Sequence, residues 1–392
     1  MLFSSTPEHS HLAPLVPLAL ELQRRGHDVL VACSPKLGER ARQIGLPSAP
    51  AGLDIDPDRI AAGELDLPPL PPDVKLANAD RWARGVVFVG LFAKALAPDL
   101  RAVAEGFHPD LMIRDSGEFA AWVVGEAIGV PVATVTFGQV PDPVDEVDMA
   151  GDAFQELRRL CGLQTDPDLS TLYAGPVFVP APRSYADPGV PVLPTVSFVR
   201  PMLHDASPEE RLPPWVDELG GHPVVYVTLG NIFNRADAFR PFLDALASEP
   251  VDLIITVGRA VDPTVFGEMP PNVYIEQYVP QSLLLSSVDV VVCHAGFNTV
   301  MGSLVVGRPL VLAPISADQP VHARRCDALG VGRVVNGQQP DPDEIRAATK
   351  AVLVEPGYRE AARRVQREID ALPDIRATAD LAEMAATGSS AQ

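Results

Sequence analysis

The chain has 392 residues, 47% of them hydrophobic, and a formal net charge of −20. That length exceeds one ordinary domain and points to two domains of roughly 150–200 residues each. The acidic balance argues against nucleic acid or an anionic membrane as partner, because a polyanion is repelled. The opening "MLFSSTPEHSH" has no basic region followed by an apolar stretch, so no signal peptide is expected. No apolar run reaches the roughly 18–20 residues that span a bilayer. Four scattered cysteines (Cys33, Cys161, Cys293 and Cys326) lack CxxC spacing, which fits a reducing cytoplasm and offers no metal site.

In chain order, short β-branched runs alternate with helical patterns. "MLFSS" precedes a helical stretch from about Pro14 to Arg25, and "HDVLVA" precedes another from Lys36. "DLMIRD" (110–115), "GEFAAWVVGEAIG" and "VPVATVTF" continue the alternation. This is the rhythm of a parallel sheet covered on both faces, and strand runs without polar alternation fit that burial. From about Leu169 to His222 prolines become dense and the rhythm breaks. The boundary is placed there, giving an N-terminal domain over 1–205 and a C-terminal domain over 206–375. A helical, charged tail over 376–392 is expected to pack back on the first domain. Strand candidates then resume with "PVVYVTLG", "VDLIITVG", "NVYIEQ", "VDVVVC" and "PLVLAP". The fold class is α/β, and ligands of such sheets lie beyond the carboxyl ends of strands.

Neither GxGxxG after a strand nor GxxxxGK[ST] occurs, so no dinucleotide fingerprint or P-loop is visible. "DID" (54–56) has DxD form but lies in a proline-rich loop rather than at a strand end, and is not taken as a metal site. The junction "VDVVVCHAGFNTVMG" (288–302) carries more chemistry. A buried strand runs into Gly296 and a helix start, whose backbone N–H groups and dipole suit a phosphate. His294, Asn298 and Thr299 add side-chain donors. By itself the segment reads equally as an anion seat or as a helix capped by its own polar residues.

With its neighbours, the pattern "YVPQ…HAGFNT…G.P…P…DQ" resembles the nucleotide-sugar signature of glycosyltransferase family 1. The N-terminal "HSHLAPLVPLALELQRRGHDVLVA" independently resembles that family's opening. The likeness covers nearly the whole chain and is greatest to actinobacterial enzymes that attach deoxysugars to macrolides, polyketides and enediynes. It implies the GT-B architecture, two Rossmann-like parallel-sheet domains facing a central cleft. It also implies that Tyr278, where the family commonly has Trp, stacks on the nucleobase while Val279 meets the base edge. His294, Gly296, Asn298 and Thr299 would hold the diphosphate, and Asp318 and Gln319 the sugar hydroxyls. Asn231 stands where a phosphate-contacting Ser or Thr is usual. Relatives carry a slightly longer first strand, so a longer start is expected. Gly302 occupies a position where UDP-sugar relatives often place a Glu against the ribose hydroxyls. A 2′-deoxyribose would leave part of that Glu unpaired, so the glycine leans toward dTDP-sugars.

Inverting transfer needs a base for the acceptor hydroxyl, and neutral histidine suits it near pH 7. The resemblance selects His11 of "HLAP" over His9, although a lone histidine there is more often structural. It pairs His11 with Asp115, with Glu118 in reserve. The alternative for Asp115 is a cap on the following helix. Phe88, Phe92, Phe137 and Phe154, in or near the loops 55–90 and 136–155, are the candidate aglycone walls. Each taken alone is more often a core residue. The implied reaction is metal-independent transfer from a dTDP-sugar to a hydrophobic natural-product aglycone, with no further cofactor. The partners are donor and aglycone, with an auxiliary protein or a homodimer as the protein partner. A C-glycosyltransferase, a nucleotide-sugar 2-epimerase and a silent auxiliary protein remain as alternatives.

Overall fold

The computed structural model describes residues 1–55, 82–201, 204, 210–230, 235–259 and 261–388. The chain divides into two compact units. One comprises Met1–Ala181, Ala186–Met202 and Pro373–Gln392, and the other Pro182–Tyr185 and Leu203–Leu372.

In the first unit β1 (Leu2–Ser4), β2 (Leu30–Cys33), β3 (Ser48–Pro50), β4 (Met112–Asp115), β5 (Val132–Val135), β6 (Val177–Val179) and β7 (Val196–Phe198) form one sheet. Its order is β3-β2-β1-β4-β5-β6-β7, with every neighbouring pair parallel. The chain therefore reverses direction across the sheet between β1 and β4, and the crevice at such a switch point is where ligands of this fold bind. In the second unit β8 (Val224–Thr228), β9 (Asp252–Thr256), β10 (Val273–Glu276), β11 (Val290–Cys293), β12 (Leu310–Leu312) and β13 (Gly332–Val334) repeat the plan. The order is β10-β9-β8-β11-β12-β13, all parallel, with the switch between β8 and β11. Both are Rossmann-like sheets. Every residue of β4, β8, β9 and β11 is buried, as the apolar runs of β8 and β11 require, and β4 carries Arg114 and Asp115 into that interior.

The first part of the proline-dense segment, up to residue 201, is more ordered than its composition suggests. It contributes β6 and β7, each three residues long, to the first sheet. Proline is tolerated beside such short strands when only its carbonyl is needed in the ladder. The Pro176 carbonyl accepts from the Thr134 N–H at 2.8 Å, and Val177 N–H donates to the Thr195 carbonyl at 2.9 Å. β13, in "GVGRVV", has too few apolar residues to stand out from the sequence. The segment 136–155, expected as loop, is largely the helix Pro143–Leu160, started by Pro143 and capped by Asp142, which accepts from Val144 N–H at 3.0 Å.

The C-terminal helix Ile375–Ala386 belongs to the first unit and lies against the helix Val16–Arg24. Ala379 and Ala382 enter the same apolar cluster as Leu15, Leu18 and Leu22. Arg25 reaches Asp380 at 2.6 Å and Glu383 at 3.0 Å, and His27 meets Glu383 at 2.8 Å. Among the described residues no helix is long and apolar enough to cross a membrane.

Candidate active site

Each sheet presents a polar constellation at its own switch point. In the first unit the chain leaves β1 through buried Ser5 and Thr6 and turns into the short helix His9–Leu12. β4 ends on Asp115, beside β1 in the sheet. The pairing Ser4↔Arg114 therefore brings the loop after β1 over the end of β4, and His11 over Asp115. His11 Nδ1 lies 2.8 Å from Asp115 Oδ1. Asp115 is fully buried, and its carboxylate also accepts from Gly117 N–H at 2.7 Å and Thr6 N–H at 3.1 Å. Three converging donors suit an ionised acceptor. A carboxylate can only accept, so the His11 proton sits on Nδ1 and Nε2 is the acceptor nitrogen of the neutral ring. That is the tautomer a general base needs. Gly117 makes room for the ring, since a Cβ there would stand 2.8 Å from His11 Cε1. His9 is exposed.

Glu118 has a separate job. Its carboxyl accepts from Ala120 N–H and Ala121 N–H at the start of the helix Ala120–Ile128, and from Ser4 Oγ at 2.7 Å. Helix capping therefore falls to Glu118, while Asp115 faces the histidine. Burial pushes the Glu118 carboxyl up to about 7, with the Ser4 hydrogen bond and the Arg114 charge opposing. A group whose folded pKa is raised stabilises fully below its unfolded value of 4.5 and loses that contribution as the pH rises through about 7. Glu118→Gln keeps an acceptor for the helix N–H groups and offers an N–H to Ser4. Denaturant unfolding at pH 5 and pH 8 should show the wild type losing about 2–3 kcal/mol more than this variant. Equal losses would remove the assignment.

The four phenylalanines part company. Phe137 meets the His11 ring edge-on at 4.6 Å between centroids, and Phe88 tilts against it at 5.7 Å. Phe88 lies on the π-helical stretch Ala83–Ala93. Phe88, Phe92 and Leu96 wall a pocket floored by Ser5, Thr6 and Ser34. Phe154 is a correction to the sequence reading. It is fully buried, packed on Phe119 at 4.8 Å and Trp122 at 5.8 Å, because its face of the helix Pro143–Leu160 turns to the core.

In the second unit β11 delivers His294, Ala295 and Gly296 to the helix Phe297–Val305. Gly296, with no side chain of its own to offer, holds the N-cap position of this helix. Ala295 sits at φ 66°, a left-handed conformation costing a non-glycine residue about 1–2 kcal/mol. His294 is enclosed by glycine backbone. A Cβ at Gly296 would overlap its Nε2, and one at Gly230 would stand 2.7 Å from it. Burial pulls the His294 imidazole down to about 4, against the charge of Asp318, so the ring is neutral at pH 7. Its Nδ1 is buried with no hydrogen-bond partner among the described residues. Asn298 is half-buried and Thr299 buried in the first turn of the helix.

Among the other expected donor residues, Val279 is buried. Tyr278 carries the Arg259 guanidinium over its ring at 3.9 Å, a cation–π contact. Asp318 remains partly exposed, with Oδ2 3.1 Å from His322 Nε2. Gln319 departs from expectation. Its carbonyl accepts from Ile315 N–H at 2.8 Å and Ser316 N–H at 3.0 Å, tying down the loop after β12 and leaving only its amide N–H groups for a sugar. Asn231 lies outside the described residues. Among the described residues no cluster of three or more His, Cys, Asp or Glu gathers in a metal-binding arrangement. Sequence reasoning missed Gly117, Arg259, His322 and Tyr185. Only His322 left a local trace, standing one helical turn after Asp318 in "DQPVH".

The chain is similar to known proteins along most of its length. Residues 20–159 match the family model described as the erythromycin biosynthesis protein CIII-like N-terminal domain, and 240–383 match its C-terminal domain. The chain is 28% identical to 4'-demethylrebeccamycin synthase of Lentzea aerocolonigenes, over 98% of each chain. It is 26% identical to the oleandomycin glycosyltransferase of Streptomyces antibioticus, over 97% of this chain and 89% of that one. The crystal structure of the glycosyltransferase VinC in complex with dTDP superposes with a TM-score of 0.77 at 25% identity, over 99% of this chain and 100% of that one.

Proposed function

Because this chain belongs to the EryCIII-like family of antibiotic glycosyltransferases, with the GT-B pair of Rossmann-like domains, we propose that it is an inverting, metal-independent transferase moving a deoxysugar from dTDP to a hydroxyl of a hydrophobic natural-product aglycone. The observation that carries this reading is the 2.8 Å contact of His11 Nδ1 with Asp115 Oδ1. His11 Nε2 takes the acceptor hydroxyl's proton as that oxygen attacks the anomeric carbon. The bond from the anomeric carbon to the β-phosphate oxygen breaks, its electron pair leaves with dTDP, and the configuration inverts. Buried Asp115 stabilises the imidazolium that forms.

The second unit holds the donor. The glycine-led start of the helix Phe297–Val305 and the His294 ring meet the charge growing on the diphosphate. Tyr278 would stack on the base with the ring face opposite the Arg259 guanidinium. Gly302, buried in that same helix, withholds the carboxylate that would suit a ribose, and the dTDP complex of the similar VinC supports the same nucleotide. Phe88, Phe92 and Phe137 supply apolar surface for a macrolide, polyketide or enediyne aglycone. The enzyme works in the cytoplasm.

The test is transfer by the protein alone, with EDTA present, from dTDP-deoxysugars to a panel of macrolactone and aromatic polyketide aglycones. The product should have an inverted anomeric centre and an acid-labile linkage. Retained configuration, loss of activity in EDTA or an acid-stable C–C linkage would each overturn the corresponding part. Thermal shift adds a cheaper check. dTDP should raise the melting temperature more than UDP at equal concentration, and equal stabilisation would remove the Gly302 argument.

A further inference from the structure

The second unit contains a buried polar relay that the transfer chemistry does not use directly. His322 lies on the helix Gln319–Leu329 and is fully buried. Its Nε2 is 3.1 Å from Asp318 Oδ2, and its Nδ1 is 2.8 Å from the Tyr185 hydroxyl. The ring is clamped between Tyr185, stacked at 6.0 Å between centroids, and Phe297 at 5.7 Å. Tyr185 closes the four-residue segment Pro182–Tyr185, which belongs to this unit although the chain on either side of it belongs to the other. The segment is held by Arg325, whose guanidinium donates to the Tyr185 carbonyl at 2.9 Å and to the Ser184 carbonyl at 3.0 Å.

The chemistry of the groups orders the protons. Asp318 accepts, so Nε2 carries the hydrogen; the neutral ring then presents Nδ1 as an acceptor, and Tyr185 donates to it. Burial holds the Tyr185 phenol well above its ordinary pKa, which keeps its proton in place. Of the three side chains only Asp318 reaches solvent, with 41% of its side chain exposed against none for His322.

We infer that His322, oriented by Tyr185, is a positioning residue that fixes the carboxylate of Asp318 for the hydroxyls of the donor sugar. The inference rests on the proposed role of Asp318 as a sugar contact. A carboxylate on a rotatable stem gains little from a sugar hydroxyl if it must first be ordered. One oxygen held by a buried N–H sets its plane before the ligand arrives.

Calorimetric titration with dTDP and with dTDP-glucose separates this role from a merely structural one, because dTDP lacks the sugar. His322→Leu should weaken dTDP-glucose about tenfold, the effect of one charge-assisted hydrogen bond, while dTDP stays within about twofold. His322→Gln, which returns an N–H near Nε2, should recover most of the loss. Adding His322→Leu to Asp318→Ala should cost nothing more. Nitrogen NMR of the wild-type ring, which needs no variant to fold, should show the proton on Nε2. Equal weakening of both ligands by His322→Leu, or a proton on Nδ1, would overturn the inference while leaving the donor reading standing. If Asp318→Ala leaves dTDP-glucose affinity unchanged, it is the role of Asp318 that fails, and the inference with it.

Discussion

Replacing His11 by alanine should lower the turnover of the proposed sugar transfer by about 10²–10⁴-fold, the contribution of a positioned general base. Binding of dTDP to the variant should stay within about twofold of wild type, since the histidine belongs to the first unit and the proposed dTDP seat to the second. Asp115→Asn should fall in the same range for a different reason. Asp115 accepts from His11 Nδ1, Gly117 N–H and Thr6 N–H, and an asparagine replaces one accepting oxygen by a donor facing donors. If the amide turns its nitrogen toward the histidine, Nδ1 must accept, the proton moves to Nε2, and the base is lost. The double variant should be little worse than either single one, because the two act as a unit. Steady-state kinetics with a fixed aglycone gives the measurement. An His11→Ala enzyme with wild-type turnover would leave this mechanism without its base.

The second large effect belongs to Gly296→Ala. Its backbone, at φ −65° and ψ 140°, is open to any residue, so alanine meets no conformational resistance. The obstacle is the His294 ring, which a Cβ would overlap at Nε2. Gly230, at φ 76°, also lies close to this ring, and a Cβ there would stand 2.7 Å from the same Nε2. Either His294 is driven out of its place or the start of the helix Phe297–Val305 moves. Overpacking of this kind costs about 1–3 kcal/mol, which corresponds to a loss of about 5–150-fold in dTDP affinity if the strain falls on the diphosphate seat. Thermal shift and calorimetry with dTDP read the loss directly. Combining Gly296→Ala with His294→Ala should relieve the overlap and recover thermal stability without recovering dTDP affinity. Unchanged dTDP affinity in Gly296→Ala alone would place the diphosphate elsewhere.

Both experiments address features of unequal legibility. The Gly296 junction is local. Strand, histidine, small residues and helix follow one another within fifteen residues, and the anion-binding potential of a helix start is written in that order. The His11–Asp115 pair spans 104 positions, and nothing in either segment names the other. Resemblance to the family suggested the pairing; its geometry depends on β1 lying beside β4 in the sheet. The division of labour between Asp115 and Glu118, three residues apart, was open for the same reason. Either carboxyl could have capped the following helix, and the backbone path after β4 assigns the cap to Glu118.

The sequence by itself determined the alternation of strands and helices, the two-domain plan and the position of the phosphate-compatible junction. These depend on periodicity and on neighbours along the chain. Tertiary structure alone decided that Phe154 is core while Phe88 and Phe137 reach His11, that Gln319 spends its carbonyl on a loop, and that Tyr185 meets His322 across 137 positions. The physical reason is common to all of these. A side chain's hydrophobicity and donor count are local properties, but its partner is set by which strands become neighbours, and in a parallel sheet those neighbours are distant in sequence.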